Sequence, residues 1–181
     1  MKQVSPTRRR KCQQCKTGFT PERPFQRVCS IPCAIAKAHK SQDKAYRAET
    51  RRRKQAAMTL SDHHKVTQRV FNRFIRLRDM AAGYPCISCQ RHHTGQYHAG
   101  HYLSVGANPE LRYCEDNNHL QCSPCNNHLS GNQAQYRLGL IERIGQDRVD
   151  WLEGPHESKR YRIADLLELQ ACYKEKIKGF S

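Results

Sequence analysis

An α+β protein in which metal sites replace part of the apolar core is predicted by three observations. The 181 residues are only 37% hydrophobic, with a mean hydropathy of −0.90, which is low for a single compact core. Eight of the ten cysteines fall in close pairs: Cys12/Cys15, Cys29/Cys33, Cys86/Cys89 and Cys122/Cys125. The stretch between the last two pairs is long enough for a β-hairpin, and stretches of helical periodicity flank it.

No apolar run approaches the ~20 residues of a membrane helix. Met1 to Lys16 is basic without an apolar segment, so it does not read as a secretory signal, and a cytoplasmic protein is expected. In a reducing compartment the cysteines argue for zinc rather than disulfides. Residues 1–85 hold 21 Lys+Arg against 5 Asp+Glu, whereas residues 86–181 hold 11 of each. All of the net +16 charge therefore lies upstream of the central cysteines, as an electrostatic arm for a polyanion.

Residues 1–11 read as basic and disordered, with Arg8, Arg9, Arg10 and Lys11 as DNA-binding candidates. Cys12, Cys15, Cys29 and Cys33 then complete a four-thiolate zinc module within residues 1–36. Gly18 is expected to turn the chain beneath the metal, with Phe19 and Phe25 as a small apolar floor. So short a piece should be unfolded without zinc. Direct DNA contact and docking against the rest of the chain are both open roles for it. Residues 37–60 form a basic helical linker with good helix formers and no apolar stripe. Arg51, Arg52, Arg53 and Lys54 lie near its end. It reads as a solvated helix along a phosphate backbone or as a charged spacer.

Residues 61–181 make the third segment. Ser61-Asp62 is the expected cap of an amphipathic helix marked by Val66, Val70, Phe74 and Leu77, which Gly83 and Pro85 end. Tyr136, Leu140, Ile141 and Ile144 mark a helix ending at Gly145. Residues 147–153 make a short helix, and Ile163 to Ile177 a final amphipathic one. Gly95, Gly100 and Gly106 read as turn or bulge residues.

The chemistry gathers between Cys86 and Asn132. Cys86, Cys89, Cys122 and Cys125 can bind one tetrahedral zinc. A zinc clamping a His-bearing hairpin against a short helix is the ββα-metal, or HNH, arrangement. A metal-dependent phosphodiesterase needs a base, a group to orient it and a divalent cation. His101 is the base candidate. Asn117 is placed to brace the hairpin and orient the imidazole. His98, Asn126 and His128 are the candidates for the catalytic metal, with His98 on the opposite strand face from His101. His92, His93 and His119 read as surface residues or extra zinc ligands. Tyr97 and Tyr102 read as hairpin packing, and Asn132 as a residue that could reach phosphate.

Pro85-Cys86-Ile87-Ser88-Cys89, Ala99-Gly100-His101-Tyr102, Asn117-x-His119-x-Gln121-Cys122 and Cys125-Asn126-x-His128-x-Ser130-Gly131-Asn132 together resemble the lambdoid phage NinG, or Rap, family. Ile144-Gly145-Gln146-Asp147 resembles it too, so the likeness spans nearly the whole chain. The resemblance implies a structure-selective endonuclease that cuts Holliday junctions and D-loops in phage recombination, inside the bacterial host. It also implies two structural Zn²⁺ ions, a catalytic Mg²⁺ or Mn²⁺, branched DNA as partner, and other phage recombination proteins. A two-fold dimer would suit junction resolution. Two positions depart from the pattern. Gly100 stands where His-Me finger nucleases usually carry Asp or His, and His98 stands where the family typically has Asp. Imidazole disfavours Mg²⁺ relative to Mn²⁺, Ni²⁺ or Zn²⁺. The alternative of another class is a non-catalytic zinc-finger DNA-binding protein or phage regulator.

Overall fold

The computed structural model describes residues 8–180; the disorder expected for residues 1–7 lies outside them. The chain divides into two compact units, Met1–Met58 and Thr59–Ser181. It is mixed α+β, and no helix among the described residues is long and apolar enough to cross a membrane.

In the first unit, β1 (Arg10–Lys11) pairs antiparallel with β2 (Gly18–Phe19). The expected disorder is thus corrected at residues 10–11, because the chain on either side of the first cysteine pair closes into a ribbon. The left-handed residue of that turn is Lys16, at φ 66, and not Gly18, which lies in β2. Phe25 is 84% exposed and forms no floor. Helix α1 runs Ile31–Ala56, capped by Ser30, whose hydroxyl accepts from the Cys33 amide. Cys33 therefore sits in the first turn of the basic helix. No residue of α1 is buried. Its order rests on helix propensity and on local pairs such as Glu49 with Arg52 and Arg53.

In the second unit, α2 runs Leu60–Ala81 and is capped by Thr59 instead of the expected Ser61-Asp62. The Thr59 hydroxyl accepts from the Asp62 amide and the Asp62 carboxylate accepts from the Thr59 amide. This reciprocal capping box fixes the helix start at Leu60. The buried face is His63, Thr67, Phe71, Phe74, Ile75 and Asp79. Val70 and Leu77 only flank it, because two fully buried aromatic and branched residues, Phe71 and Ile75, turn the helix by one position.

Strand β3 (Tyr97–His101) pairs antiparallel with β4 (Asn118–Cys122). Helices α3 (Gln133–Ile144), α4 (Gln146–Glu153) and α5 (Ile163–Lys178) follow. Helix α2 packs on α5 and on both strands. Phe71, Phe74, Ile75, Ala99, Leu166 and Tyr173 form that core. A second core joins Ile87, Tyr102, Leu111, Tyr136, Leu140, Val149 and Leu152.

The hairpin is also held by a buried charge. Asp79 is fully buried, and its carboxylate accepts from the Leu120 amide at 2.7 Å and from Arg78 Nε at 2.7 Å, with Arg143 Nη1 at 3.5 Å. Burial alone would raise this carboxyl, but the hydrogen bond and charge of Arg78 hold it below the usual carboxylate range. One carboxylate thereby ties α2 to β4 and α3.

Gly100 continues the regular ladder, opposite His119, so it is not a bulge. A Cβ there would collide with the Gln121 amide. A Cβ on Gly139 would run into the Ile87 carbonyl, where α3 crosses the Cys86–Cys89 knuckle. Gly139→Ala should therefore lower the melting temperature, at a cost of about 1–3 kcal/mol from overpacking. Helix propensity alone would raise stability by up to ~1 kcal/mol, so the sign of the shift in a thermal melt decides.

Candidate functional site

The described residues contain two groups of metal-ligating side chains. The Sγ atoms of Cys86, Cys89, Cys122 and Cys125 all lie within 4.8 Å of one another, and so do those of Cys12, Cys15, Cys29 and Cys33. The Cys89–Cys122 separation is 3.9 Å, and Cys15–Cys29 and Cys29–Cys33 are both 3.6 Å. A tetrahedral zinc with sulfurs at about 2.3 Å has edges of about 3.8 Å, so both groups fit that ion.

The thiol chemistry agrees. Burial acts to raise the Cys86 thiol, yet amides of Cys122, Cys89 and Ser88 bring it below its usual range. Burial and neighbouring thiols push Cys122 up to about 11. At the first cluster Cys12 comes down to about 6, where the amides of Cys15, Cys29 and Gln14 outweigh burial, while contact with Cys15 and Cys33 pushes Cys29 up to about 12. Four thiols without a cation cannot all ionise together; a dication removes that conflict. Outer contacts are in place as well. His93 Nε2 lies 3.2 Å from Cys89 Sγ, and Asn132 Nδ2 donates to Cys125 Sγ at 3.7 Å. Asn132 thus turns toward the thiolate and not toward a phosphate site.

The hairpin register sorts the candidate residues by face. His101 lies opposite Asn118, and His98 lies opposite Gln121. His101 and His98 are therefore on opposite faces. Gln121 is fully buried, and its Nε2 donates to Ser88 Oγ at 2.7 Å and to the Gly131 carbonyl at 2.6 Å. Gly131 lies in a turn with three successive positive φ values, at Ser130, Gly131 and Asn132. Two buried polar atoms on this face have no partner: His98 Nε2 and Gln121 Oε1. Such atoms are costly unless something else satisfies them. Sequence reading missed Gln121. Its pairing opposite His98 in the hairpin is the signal that could have found it.

His101 Nε2 lies 3.2 Å from the Arg112 carbonyl. A carbonyl only accepts, so Nε2 carries the hydrogen and Nδ1 is left with its lone pair. Burial lowers the imidazole pKa below its ordinary value, and the Arg112 charge adds to this against the opposing pull of the carbonyl. The ring is accordingly neutral at pH 7.

Asn117 does not hydrogen-bond His101, which corrects the expected orienting role. Its Oδ1 accepts from the Leu103 amide at 2.7 Å, and its Nδ2 donates to the carbonyls of Leu103 at 3.0 Å and Leu111 at 3.2 Å. It staples the loop between the strands. His119 is buried and not a surface residue or zinc ligand. Its Nε2 donates to the Asp116 carbonyl, while its Nδ1 accepts from Arg78 at 3.1 Å and stands 3.6 Å from Asp79.

Asn126 and His128 lie on a five-residue π turn, Pro124–His128, with Asn126 half-buried and His128 exposed. No third His, Cys or carboxylate gathers with His98 or His128 among the described residues. The three catalytic-metal candidates therefore do not form a preassembled cage. Arg8, Arg9, Arg10, Lys11, Arg51, Arg52, Arg53 and Lys54 are all exposed. Protein purified without added metal should carry two zinc ions per chain by elemental analysis. Cys86→Ser should carry one and lose cooperative unfolding of Thr59–Ser181.

Residues 4–181 match the family model described as Bacteriophage Lambda NinG protein. Among similar chains, the protein ninG of Escherichia phage lambda is 37% identical over 194 residues, covering 97% of this chain and 94% of that protein. Protein ninG of Escherichia phage 933W is 37% identical over 188 residues, covering 94% and 92%. Protein ninG of Salmonella phage P22 is 36% identical over 192 residues, covering 96% and 94%. No solved structure matches the chain. With likeness from end to end in both comparisons, the chain belongs to the Bacteriophage Lambda NinG protein family.

Proposed function

We propose that this protein is a metal-dependent DNA endonuclease of the HNH type that cuts branched recombination intermediates such as Holliday junctions and D-loops. The observation that carries the reading is His101: a neutral imidazole on a fixed strand, with Nε2 occupied by the Arg112 carbonyl and Nδ1 left to accept a proton. In this reading Nδ1 takes a proton from water. The water oxygen bonds to phosphorus as the ester P–O bond breaks, and the leaving alkoxide is protonated by solvent.

A divalent cation, Mg²⁺ or Mn²⁺ as expected from the family resemblance, would stabilise the negative charge that develops on the phosphate. His98 and Gln121 are the residues we assign to hold it, because their unpartnered atoms share one strand face. That is the face of Gly100, where a side chain would meet Gln121. The usual ligand position is thus closed, and His98, two residues back along the pleat, substitutes for it. Asn126 and His128 remain candidates from the π turn. The cations of residues 1–58, 16 Lys+Arg against 3 Asp+Glu, would supply sequence-independent affinity for DNA.

The alternative is a zinc-stabilised DNA-binding protein without cleavage, favoured because, among the described residues, neither His98 nor His128 belongs to a group of three metal-ligating side chains. Cleavage of linear, flapped and four-way DNA across Mg²⁺, Mn²⁺, Ni²⁺ and Zn²⁺ separates the two. His101→Ala should keep fold, zinc content and DNA binding while cutting falls by ~10²–10⁴, the usual worth of a general base. Cleavage by His101→Ala equal to wild type, or no cleavage by wild type with any metal, would overturn the nuclease assignment. Asn117→Ala should instead lose stability by about 1–3 kcal/mol, because it leaves buried backbone groups of Leu103 and Leu111 unpaired.

A further inference from the structure

After Cys86 the chain carries equal numbers of acidic and basic residues, 11 of each, but they are not evenly matched in space. Arg137, Arg143, Arg148, Arg162, Lys176 and Lys178 each pair with a carboxylate. Of the cations after Cys86 left without an ion pair among the described residues, three line one cleft: Arg112, Lys159 and Arg160. The cleft measures about 310 Å³, and no acidic residue lines it. Asp165, which lies near Lys159, is engaged by Arg162 at 3.4 Å and caps α5.

The cleft is a supported arrangement. Arg112 Nε donates to Gln68 Oε1 at 2.9 Å, so the guanidinium is held by a neutral acceptor and keeps its full charge. Lys159 Nζ lies 5.0 Å above the Tyr161 ring. Tyr161 meets His64 edge-on at 5.8 Å, and His64 stacks on Tyr113. Cations beside an aromatic face are what an unpaired nucleic-acid strand needs, since its phosphates take the charge and its bases stack. Arg112 also links the cleft to His101: its carbonyl holds the imidazole, while its side chain lines the cleft.

We propose that this cleft binds a backbone phosphate and adjoining base of an unpaired DNA strand, next to the phosphate presented to His101. The inference rests on the nuclease reading for the role of that strand, but the binding itself requires no cleavage. It would give the protein a local preference for unpaired strands at branch points, separate from the general affinity of the basic arm.

The test is binding of the full chain, without added divalent cation, to a single-stranded oligonucleotide and to a duplex over a salt series. Lys159→Ala combined with Arg160→Ala removes two exposed side chains and should leave the melting temperature unchanged. For the single strand, the slope of log K against log salt should become shallower by about 0.7, the value for the one phosphate the cleft holds. The duplex slope should change by less than half of that. Arg91→Ala combined with Lys174→Ala removes the same charge outside the cleft and should leave both slopes near wild type. An unchanged single-strand slope, an equal change on duplex, or an equal effect of the control pair would overturn the proposal. If wild type binds as expected but cuts nothing, the nuclease reading fails while the cleft stands.

Discussion

Two five-residue strands cannot hold their own register in water, so the β3–β4 hairpin depends on what fixes it from outside. Three attachments do so. The Asp79 carboxylate takes the Leu120 amide from the side of α2. The four thiols gather the Cys122 end. Asn117 binds the loop at the other end through three hydrogen bonds. A one-residue slip would exchange the two faces, moving His101 away from the Arg112 carbonyl and Gln121 away from Ser88. The placement of every candidate site residue on the hairpin follows from these attachments.

Much of this was legible in the sequence. Cysteine spacing is a metal-ligand signal that depends little on tertiary context, and both clusters assemble from the pairs that announced them. Helix periodicity located α2, α3 and α5, because apolar faces must be buried wherever they pack, whereas α1 was legible only from its run of good helix formers. Details decided by side-chain competition were less legible. Thr59 displaced Ser61-Asp62 as a cap because only Thr59 is three residues before an acid that can answer it. Phe71 and Ile75 outvoted Val66 and Leu77 for the core face. The role of Asn117 could not be read, because its partners are backbone groups of Leu103 and Leu111. Gln121 and Arg112 were hidden for the same reason: one acts through hairpin register, the other through a carbonyl that every residue possesses.

Charge is arranged on two scales. The first unit, Met1–Met58, carries nearly all of the excess on an exposed helix and ribbon. Screened over about 10 Å at 0.1 M salt, such charge binds phosphates without choosing among them. The second unit is close to neutral, and three of its cations without an ion pair among the described residues, Arg112, Lys159 and Arg160, line one cleft. Affinity and placement of a strand can thus be supplied by different parts of the chain.

The central claim is that the fold presents His101 as a neutral imidazole with Nδ1 free. Nitrogen-15 and carbon-13 chemical shifts of labelled His101, followed over pH in the zinc-loaded protein, test it most directly. Because burial depresses the folded pKa, the ring should stay neutral until pH falls below ~6.5, the ordinary value for histidine. Above that point its shifts should report the Nε2–H tautomer. An imidazolium that persists at pH 7, or a neutral ring protonated on Nδ1, would contradict the account.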